Sequence, residues 1–376
     1  MSLKLFTFNV KESEKELEQS HFTSLLNLYL ETEEEKAKIR KYRFSMDQYR
    51  TLMGKVLMRF YLMKKNFIPD DHHSSINNNN LEIHESYSKL FQVKASKYGK
   101  PFLKMKNGNS SLDFNISHSG NWVVFGYINC KNETPKVIGI DIEEIHVRST
   151  KLDDKWKNYL AEFFDLMKPC FTSHEWSTIL YPCLPSEGSK TSNNFIFEQA
   201  LASVDKCNDD TIRENMIERF FIHWTLKESF IKAVGMGVSF GELTRIEFRF
   251  IDQSSFVQDQ CMNLERASFS NISLSEFTSP EKKIKLFIDG EDNSSDWDFI
   301  VIRNFTPGHM MSLALGSISS KHIPFEQKLE LRSNYMSLQD TDELQNSETC
   351  HSLLQIHDCQ LSEFIEKNSL TKINTH

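Results

Sequence analysis

The chain has 376 residues, 39% of them hydrophobic and 12% aromatic, which is enough core material for one large globular domain or two ordinary ones. Its formal net charge is −8, and its seven cysteines are scattered with no C-x-x-C pair, which argues against a zinc site or disulfide framework and for reduced thiols in a cytoplasmic protein. The first twenty residues turn charged after position ten, unlike a secretory signal, and no run of about 18 apolar residues occurs, which excludes a transmembrane helix.

Residues 36–65 are the first patterned segment. They hold ten Lys/Arg against one acid, Asp47, and Leu52, Val56, Arg59, Phe60 and Met63 recur at helical steps. A basic helix over 45–65 is expected. In an acidic protein it suits an anionic ligand, although a plain solvated cationic face is an equal alternative. The stretch SSINNNN (74–80) reads as a mobile polar loop.

The loop KYGKPFL (97–103) leads into FNISHSG (114–120), where Asn115, Ser117, His118 and Ser119 crowd together. A Ser/His pair suggests nucleophilic chemistry. No G-x-S-x-G elbow is present, however, and adjacent side chains diverge on a strand. Donors meeting an anion fit better, with a satisfied turn histidine as the plain alternative. Neither G-x-x-x-x-G-K-[ST] nor G-x-G-x-x-G occurs, so ordinary NTPase and dinucleotide sites are weak readings.

Strands are expected at 121–128 and 136–142. In the second, GIDIEEI (139–145), the isoleucines at 138, 140 and 142 share one face. Gly139, Asp141 and Glu143 share the other. Ionised carboxylates are costly to bury without a cation or a dense set of donors. The pair suits a hard cation such as Mg²⁺, which takes oxygen ligands. A strand end emerging into solvent is the alternative.

Helical patterns follow at 154–168 and 173–180, then a polar insert at 185–194, then a long helix at 212–235. On that helix Ile217, Phe220, Phe221, Trp224, Glu228 and Ile231 form one stripe, with Lys232 a turn beyond Glu228. An ordinary surface Glu–Lys pair contributes only a few tenths of a kcal/mol. Glu228 stands where the stripe calls for an apolar residue, so a metal-ligating Glu beside a phosphate-binding Lys fits better. Gly235 and Gly237 end the helix. Further strands are expected at 244–251, 283–289, 297–305 and 309–317.

The alternation implies an α+β protein of two halves, 1–145 and 146–320. Between His322 and His376 nine acids face four Lys/Arg without sustained periodicity. Residues 321–376 are therefore expected to be a flexible, dispensable acidic tail. In the competing expectation, residues 353–367 form a short amphipathic helix docked on the C-terminal half.

In order, YGKP, FNISHSG, GIDIE and WTLKESFIKAVGMG resemble the motif set of the Sfp-type 4′-phosphopantetheinyl transferases, over roughly residues 36–318. The branch that activates aminoadipate reductase is the most similar. The resemblance implies two similar α/β halves related by pseudo-two-fold symmetry, with coenzyme A in the cleft between them. It implies Mg²⁺ held by Asp141, Glu143 and Glu228, with Lys232 on the phosphates of the transferred half. It places His118 and Ser117 at the 3′-phosphate end of the nucleotide, Lys100 along the nucleotide site, Lys38 or Arg40 as an early nucleotide-contacting cation, and Lys94 and Lys97 loosely beside it. The implied reaction moves 4′-phosphopantetheine from coenzyme A to a serine of an acyl, peptidyl or aminoadipate-reductase carrier domain, or of a fatty-acid synthase, and releases adenosine 3′,5′-bisphosphate. Glu228, directly or through a metal-bound water, is the implied base. The expected protein is a monomer without nucleic-acid or membrane partners. The rival readings are a metal-dependent phosphohydrolase or nuclease using the same carboxylates, and a nucleic-acid-binding module built on residues 36–65.

Overall fold

The computed structural model describes residues 2–11, 19–30, 32–65, 91–105, 112–129, 136–145, 154–181, 193–204, 207, 209–250, 262–263, 272–273, 284–324, 328, 353–360 and 364. It divides into two compact units. One is Met1–Ile138 with Phe269–Leu274 and Ile323–His376; the other is Gly139–Ser268 with Ser275–His322.

The chain begins with β1 (Ser2–Asn9), α1 (Gln19–Tyr29), α2 (Glu33–Arg40) and α3 (Ser45–Lys65). A hairpin of β2 (Phe91–Ala95) and β3 (Pro101–Met105) precedes β4 (Leu112–Ser119), β5 (Trp122–Asn129) and β6 (Lys136–Glu144). Helices α4 (Asp154–Met167), α5 (Ser173–Ile179), α6 (Asn193–Val204) and α7 (Asp210–Val234) follow. Then come β7 (Ile246–Phe250), β8 (Met262–Asn263), β9 (Ile272–Ser273), β10 (Ile284–Ile288) and β11 (Glu291–Asp292). The described elements end with β12 (Trp297–Thr306), β13 (His309–Ser317) and β14 (Leu353–Asp358).

In the first unit five strands form one sheet in the order β4-β5-β1-β14-β9. β1 runs antiparallel to β5 and parallel to β14. Both its faces are buried, with Leu3 and Leu5 on one side and Phe6 and Phe8 on the other. A strand enclosed in this way needs apolar residues at most positions. Phe6 and Phe8 share a core with Leu52, Val56, Leu57 and Phe60 of α3, so the apolar stripe of the basic helix faces this sheet.

This arrangement corrects the expectation for the C-terminal segment. Residues 353–358 are a strand, not a helix, and they pair with β1 in the first unit, not with the C-terminal half. Thr7 Oγ1 donates to Asp358 Oδ1 at 2.5 Å, and Tyr61 Oη lies 3.1 Å from Cys359 Sγ. Phe364 is fully buried against Phe8, Phe60 and Tyr61. The segment therefore adds a strand to the first unit's sheet and two buried side chains, Cys359 and Phe364, to its core.

In the second unit β6, β13, β12 and β8 form a sheet, and β11, β10 and β7 a smaller one. α7 lies on β13, where Thr225 Oγ1 and Ser312 Oγ are 2.7 Å apart in the buried layer. Phe164, Phe171, Trp176 and Phe220 fill the space among the helices. Asp209 caps α7 by accepting from the Thr211 and Ile212 amides, and Gly235 ends it in the left-handed conformation at φ 75°, as its place in the sequence implies.

The α+β mixture matches the sequence reading, but the boundary between the units falls inside β6, between Ile138 and Gly139, and not after residue 145. The loop 74–80 and residues 185–192 of the polar insert lie outside the described residues. Among the described residues no helix is long and apolar enough to cross a membrane.

Candidate active site

The site is built where β6 presses on α7. A Cβ added to Gly139 would stand 1.9 Å from the Ser229 carbonyl oxygen and 2.4 Å from the Ala233 amide nitrogen. The strand therefore meets the helix backbone to backbone, and only glycine leaves room for that approach. Asp141 and Glu143 lie on the same strand face as Gly139, so they too turn toward α7.

Asp141 Oδ1 accepts a hydrogen bond from Lys232 Nζ at 2.6 Å, with the carboxylate buried and the lysine about a third exposed. Glu143 Oε1 accepts from Trp224 Nε1 at 3.3 Å. Burial pushes the Asp141 carboxyl up to about 7 against the opposing pull of Lys232, and the charges of Glu143 and Glu228 push the same way. Glu228 is also raised, first by burial and then by Glu143, again against Lys232. Three carboxylates thus repel one another over one ammonium. Burial is the main cause of both shifts, with the neighbouring acids adding to it.

The donor chemistry fits a hard divalent cation. Asp141, Glu143 and Glu228 supply oxygen ligands of the type that Mg²⁺ takes while keeping waters and phosphate oxygens. As the side chains stand, no group of three His, Cys, Asp or Glu among the described residues is gathered into a cage, and the Lys232 ammonium lies on Asp141 instead.

The other residues singled out from the sequence lie in the first unit. Ser117 is buried and His118 exposed on β4, so the strand alternation sends them to opposite faces. Lys38 is an exposed residue paired with Glu34 at 2.9 Å, and Arg40 lies 3.8 Å from Glu33. Lys94 and Lys97 are exposed, Lys97 with its ammonium 5.4 Å from the Tyr98 ring centroid. Lys100 is not an exposed donor. Its buried ammonium contacts Asp113 Oδ2 at 2.7 Å and the Ile138 carbonyl at 3.3 Å, while the Ile138 amide donates to the same Asp113 oxygen at 2.8 Å. Lys100 and Asp113 together hold the β6 backbone three residues before Asp141.

The basic segment is also less free than its own sequence suggests. Glu33, Glu34 and Glu35, just ahead of it, form the first turn of α2. Glu35 meets Arg59 at 3.1 Å and Lys55 at 3.2 Å, and Glu33 meets Lys36 at 2.9 Å. Four residues given no role by the sequence reading lie on or beside α7: Trp224, which donates to Glu143, and Lys227, Glu175 and His223, which pack together in the buried layer. Trp224 was visible as part of the helix stripe. Lys227 is fully buried and bonded to Glu175, although it sits beside Glu228 in the sequence like an ordinary surface lysine.

Residues 137–303 match the 4′-phosphopantetheinyl transferase superfamily, and residues 17–127 match the N-terminal domain of 4′-phosphopantetheinyl transferases. The first match contains Asp141, Glu143, Glu228 and Lys232. The chain belongs to the 4′-phosphopantetheinyl transferase superfamily. It is 28% identical over 289 residues to the L-aminoadipate-semialdehyde dehydrogenase-phosphopantetheinyl transferase of Xenopus laevis, covering 76% of this chain and 68% of that one. The protein of the same name from Mus musculus is 31% identical over 218 residues, 57% of this chain and 51% of its own length. A phosphopantetheinyl transferase from a Thraustochytrium species is 27% identical over 222 residues, 59% of this chain and 58% of its own. The chain therefore spans about half to two thirds of the length of these relatives.

Proposed function

We propose that this superfamily member transfers 4′-phosphopantetheine from coenzyme A to a serine of a carrier domain. The observation that carries the reading is the cluster of Asp141, Glu143, Glu228 and Lys232, brought together from β6 and α7 inside the segment that matches the superfamily. In the reaction the serine Oγ forms a bond to the β-phosphorus of coenzyme A. The pyrophosphate bond to the nucleotide half breaks, and adenosine 3′,5′-bisphosphate leaves with the electron pair. The serine proton passes to Glu228, directly or through a water. Lys232 releases Asp141 and turns to the phosphate oxygens, where it stabilises the charge that develops on the leaving oxygen. Asp141, Glu143 and Glu228 would hold Mg²⁺, which when bound supplies Lewis-acid stabilisation of that charge.

Ser117, His118, Lys38, Arg40, Lys94 and Lys97 are proposed contacts for the nucleotide half, as the family motifs imply. Lys100 is the weakest of the nucleotide assignments, because its ammonium is committed to Asp113 and Ile138. The names of the Xenopus and mouse relatives point to an aminoadipate-semialdehyde dehydrogenase carrier domain as one partner. A cytoplasmic monomer is the proposed state.

The test is mass spectrometry of several carrier domains incubated with the protein, coenzyme A and Mg²⁺. Addition of one phosphopantetheine mass to a carrier serine is expected. Breakdown of coenzyme A at an equal rate without any carrier would support a phosphohydrolase instead.

A further inference from the structure

Lys227 precedes Glu228, and nothing in the proposed mechanism uses it. It has no exposed surface, and its ammonium has three acceptors: Glu175 Oε2 at 2.7 Å, the Leu243 carbonyl at 2.9 Å and the Ile246 carbonyl at 2.5 Å. Three protons meet three acceptors. Glu175 is just as fully engaged. It accepts from the Thr172 amide at 3.0 Å and the Phe248 amide at 3.0 Å, and His223 Nδ1 lies 3.6 Å away. One ion pair thus ties the start of α5, the middle of α7 and the entry to β7.

Burying a charge pair seldom adds stability over an apolar replacement of the same shape. Helix geometry gives this pair a second role. Successive helical residues turn by about 100°. His223 and Lys227 form one stripe of α7, and Trp224, Glu228 and Lys232 form the next. The first stripe is anchored to Glu175. The second delivers Trp224 to Glu143, Lys232 to Asp141 and Glu228 to the field of both acids. Rolling the helix by about 20° would move a side-chain tip about 5 Å from its axis by about 2 Å. A displacement of that size breaks hydrogen-bond geometry and is costly to a reaction that needs fixed groups.

We infer that Glu175 and Lys227 are positioning residues that set the roll of α7, and through it the placement of Glu228 and Lys232 opposite Asp141 and Glu143. The kinetic consequence rests on the transferase reading, whereas the structural consequence does not.

The test uses the full chain and two ways of disturbing the anchor. Glu175→Asp keeps the charges and draws the carboxylate back by one methylene. The double variant Glu175→Gln/Lys227→Met keeps the shapes and removes both charges, so it leaves no unpaired ion to block folding. In each background the coupling between Asp141→Asn and Lys232→Met is measured from thermal unfolding. Transfer is followed by carrier mass, separating kcat from KM for coenzyme A. The expected result is loss of the 141–232 coupling in both backgrounds, with kcat lowered at least tenfold and KM for coenzyme A within about twofold. Retained coupling with retained kcat would overturn the inference and leave a buried pair that serves stability alone. Wild-type protein that modifies no carrier would count against the transferase reading, and the coupling measurement would still decide the positioning role.

Discussion

Lys232 Nζ stands 2.6 Å from Asp141 Oδ1, joining a helix to a strand at a point where the charges of Glu143 and Glu228 also act on Asp141. Burial, with the charges of Glu143 and Glu228, raises the Asp141 carboxyl against the pull of that ammonium. The lysine is also partly exposed.

Replacing Asp141 by Ala should abolish transfer and leave the fold intact. The side chain faces a charged cluster and not an apolar cavity, and the freed Lys232 can turn to solvent. The check is carrier-mass kinetics beside thermal unfolding. Near wild-type kcat at saturating Mg²⁺ would remove Asp141 from the site.

Lys232→Met should lower kcat by about two to three orders of magnitude, the loss typical of one oriented donor to a developing negative charge. A variant with unchanged kcat and only a lower Tm would make the 141–232 contact a plain structural ion pair.

Local period carried most of what the sequence revealed. The alternation at 136–142 and the stripe at 212–235 are properties of neighbouring residues, so both elements and the four clustered side chains were legible. β1 and β14 were not. Lys4 and Thr7 interrupt the first, and the second is recognised only through a parallel partner at the opposite end of the chain. Leu353, Ile356 and Phe364 mimic helical spacing although 353–358 is a strand. Glu175 and Lys227 escaped for the same reason: a capping-box Glu and a mid-helix Lys look like surface residues until tertiary packing buries both against each other. The charge of residues 36–65 is partly balanced by Glu33 and Glu35 just before them, which the segment alone does not reveal.

Gly139→Ala tests the strand–helix contact. The added methyl would sit 1.9 Å from the Ser229 carbonyl oxygen, and a helix backbone cannot step aside as a side-chain tip can. Overpacking of this kind costs about 1–3 kcal/mol or more. A lowered Tm together with lost transfer is expected. Full activity with an unchanged Tm would mean β6 and α7 are not in backbone contact.

Acid should weaken the second unit through His223. Burial holds this imidazole below its ordinary value of 6.5, with Lys227 and His174 pushing the same way and Glu175 opposing. The folded chain binds the proton less readily than the unfolded chain. The stability from the neutral ring is therefore complete above 6.5 and is lost as pH falls through 6.5 toward the depressed folded value. Glu175, itself held below 4.5 because Lys227 and His223 outweigh the effect of its burial, adds a further loss at lower pH. His223→Gln should flatten the fall of Tm between about pH 7 and 5 relative to wild type. An identical slope in the variant would show that His223 is not a source of the acid sensitivity.

The C-terminal segment gives the clearest reversal of a sequence expectation. Ending the chain at residue 325 would remove β14 from its place beside β1, leaving one edge of β1 without its parallel partner. Such a bared edge offers unpaired backbone groups to other chains. It would also remove Phe364, which is fully buried among Phe8, Phe60 and Tyr61. The truncated protein should be insoluble or inactive. The single change Phe364→Ala should cost about 3–5 kcal/mol, the range for truncating a buried phenylalanine, and should lower Tm while leaving KM for coenzyme A near wild type. Both are read from expression of the shortened chain and chemical unfolding of the point variant. Soluble, fully active protein ending at 325 would restore the dispensable tail and would mean that β1 is stable without its parallel neighbour.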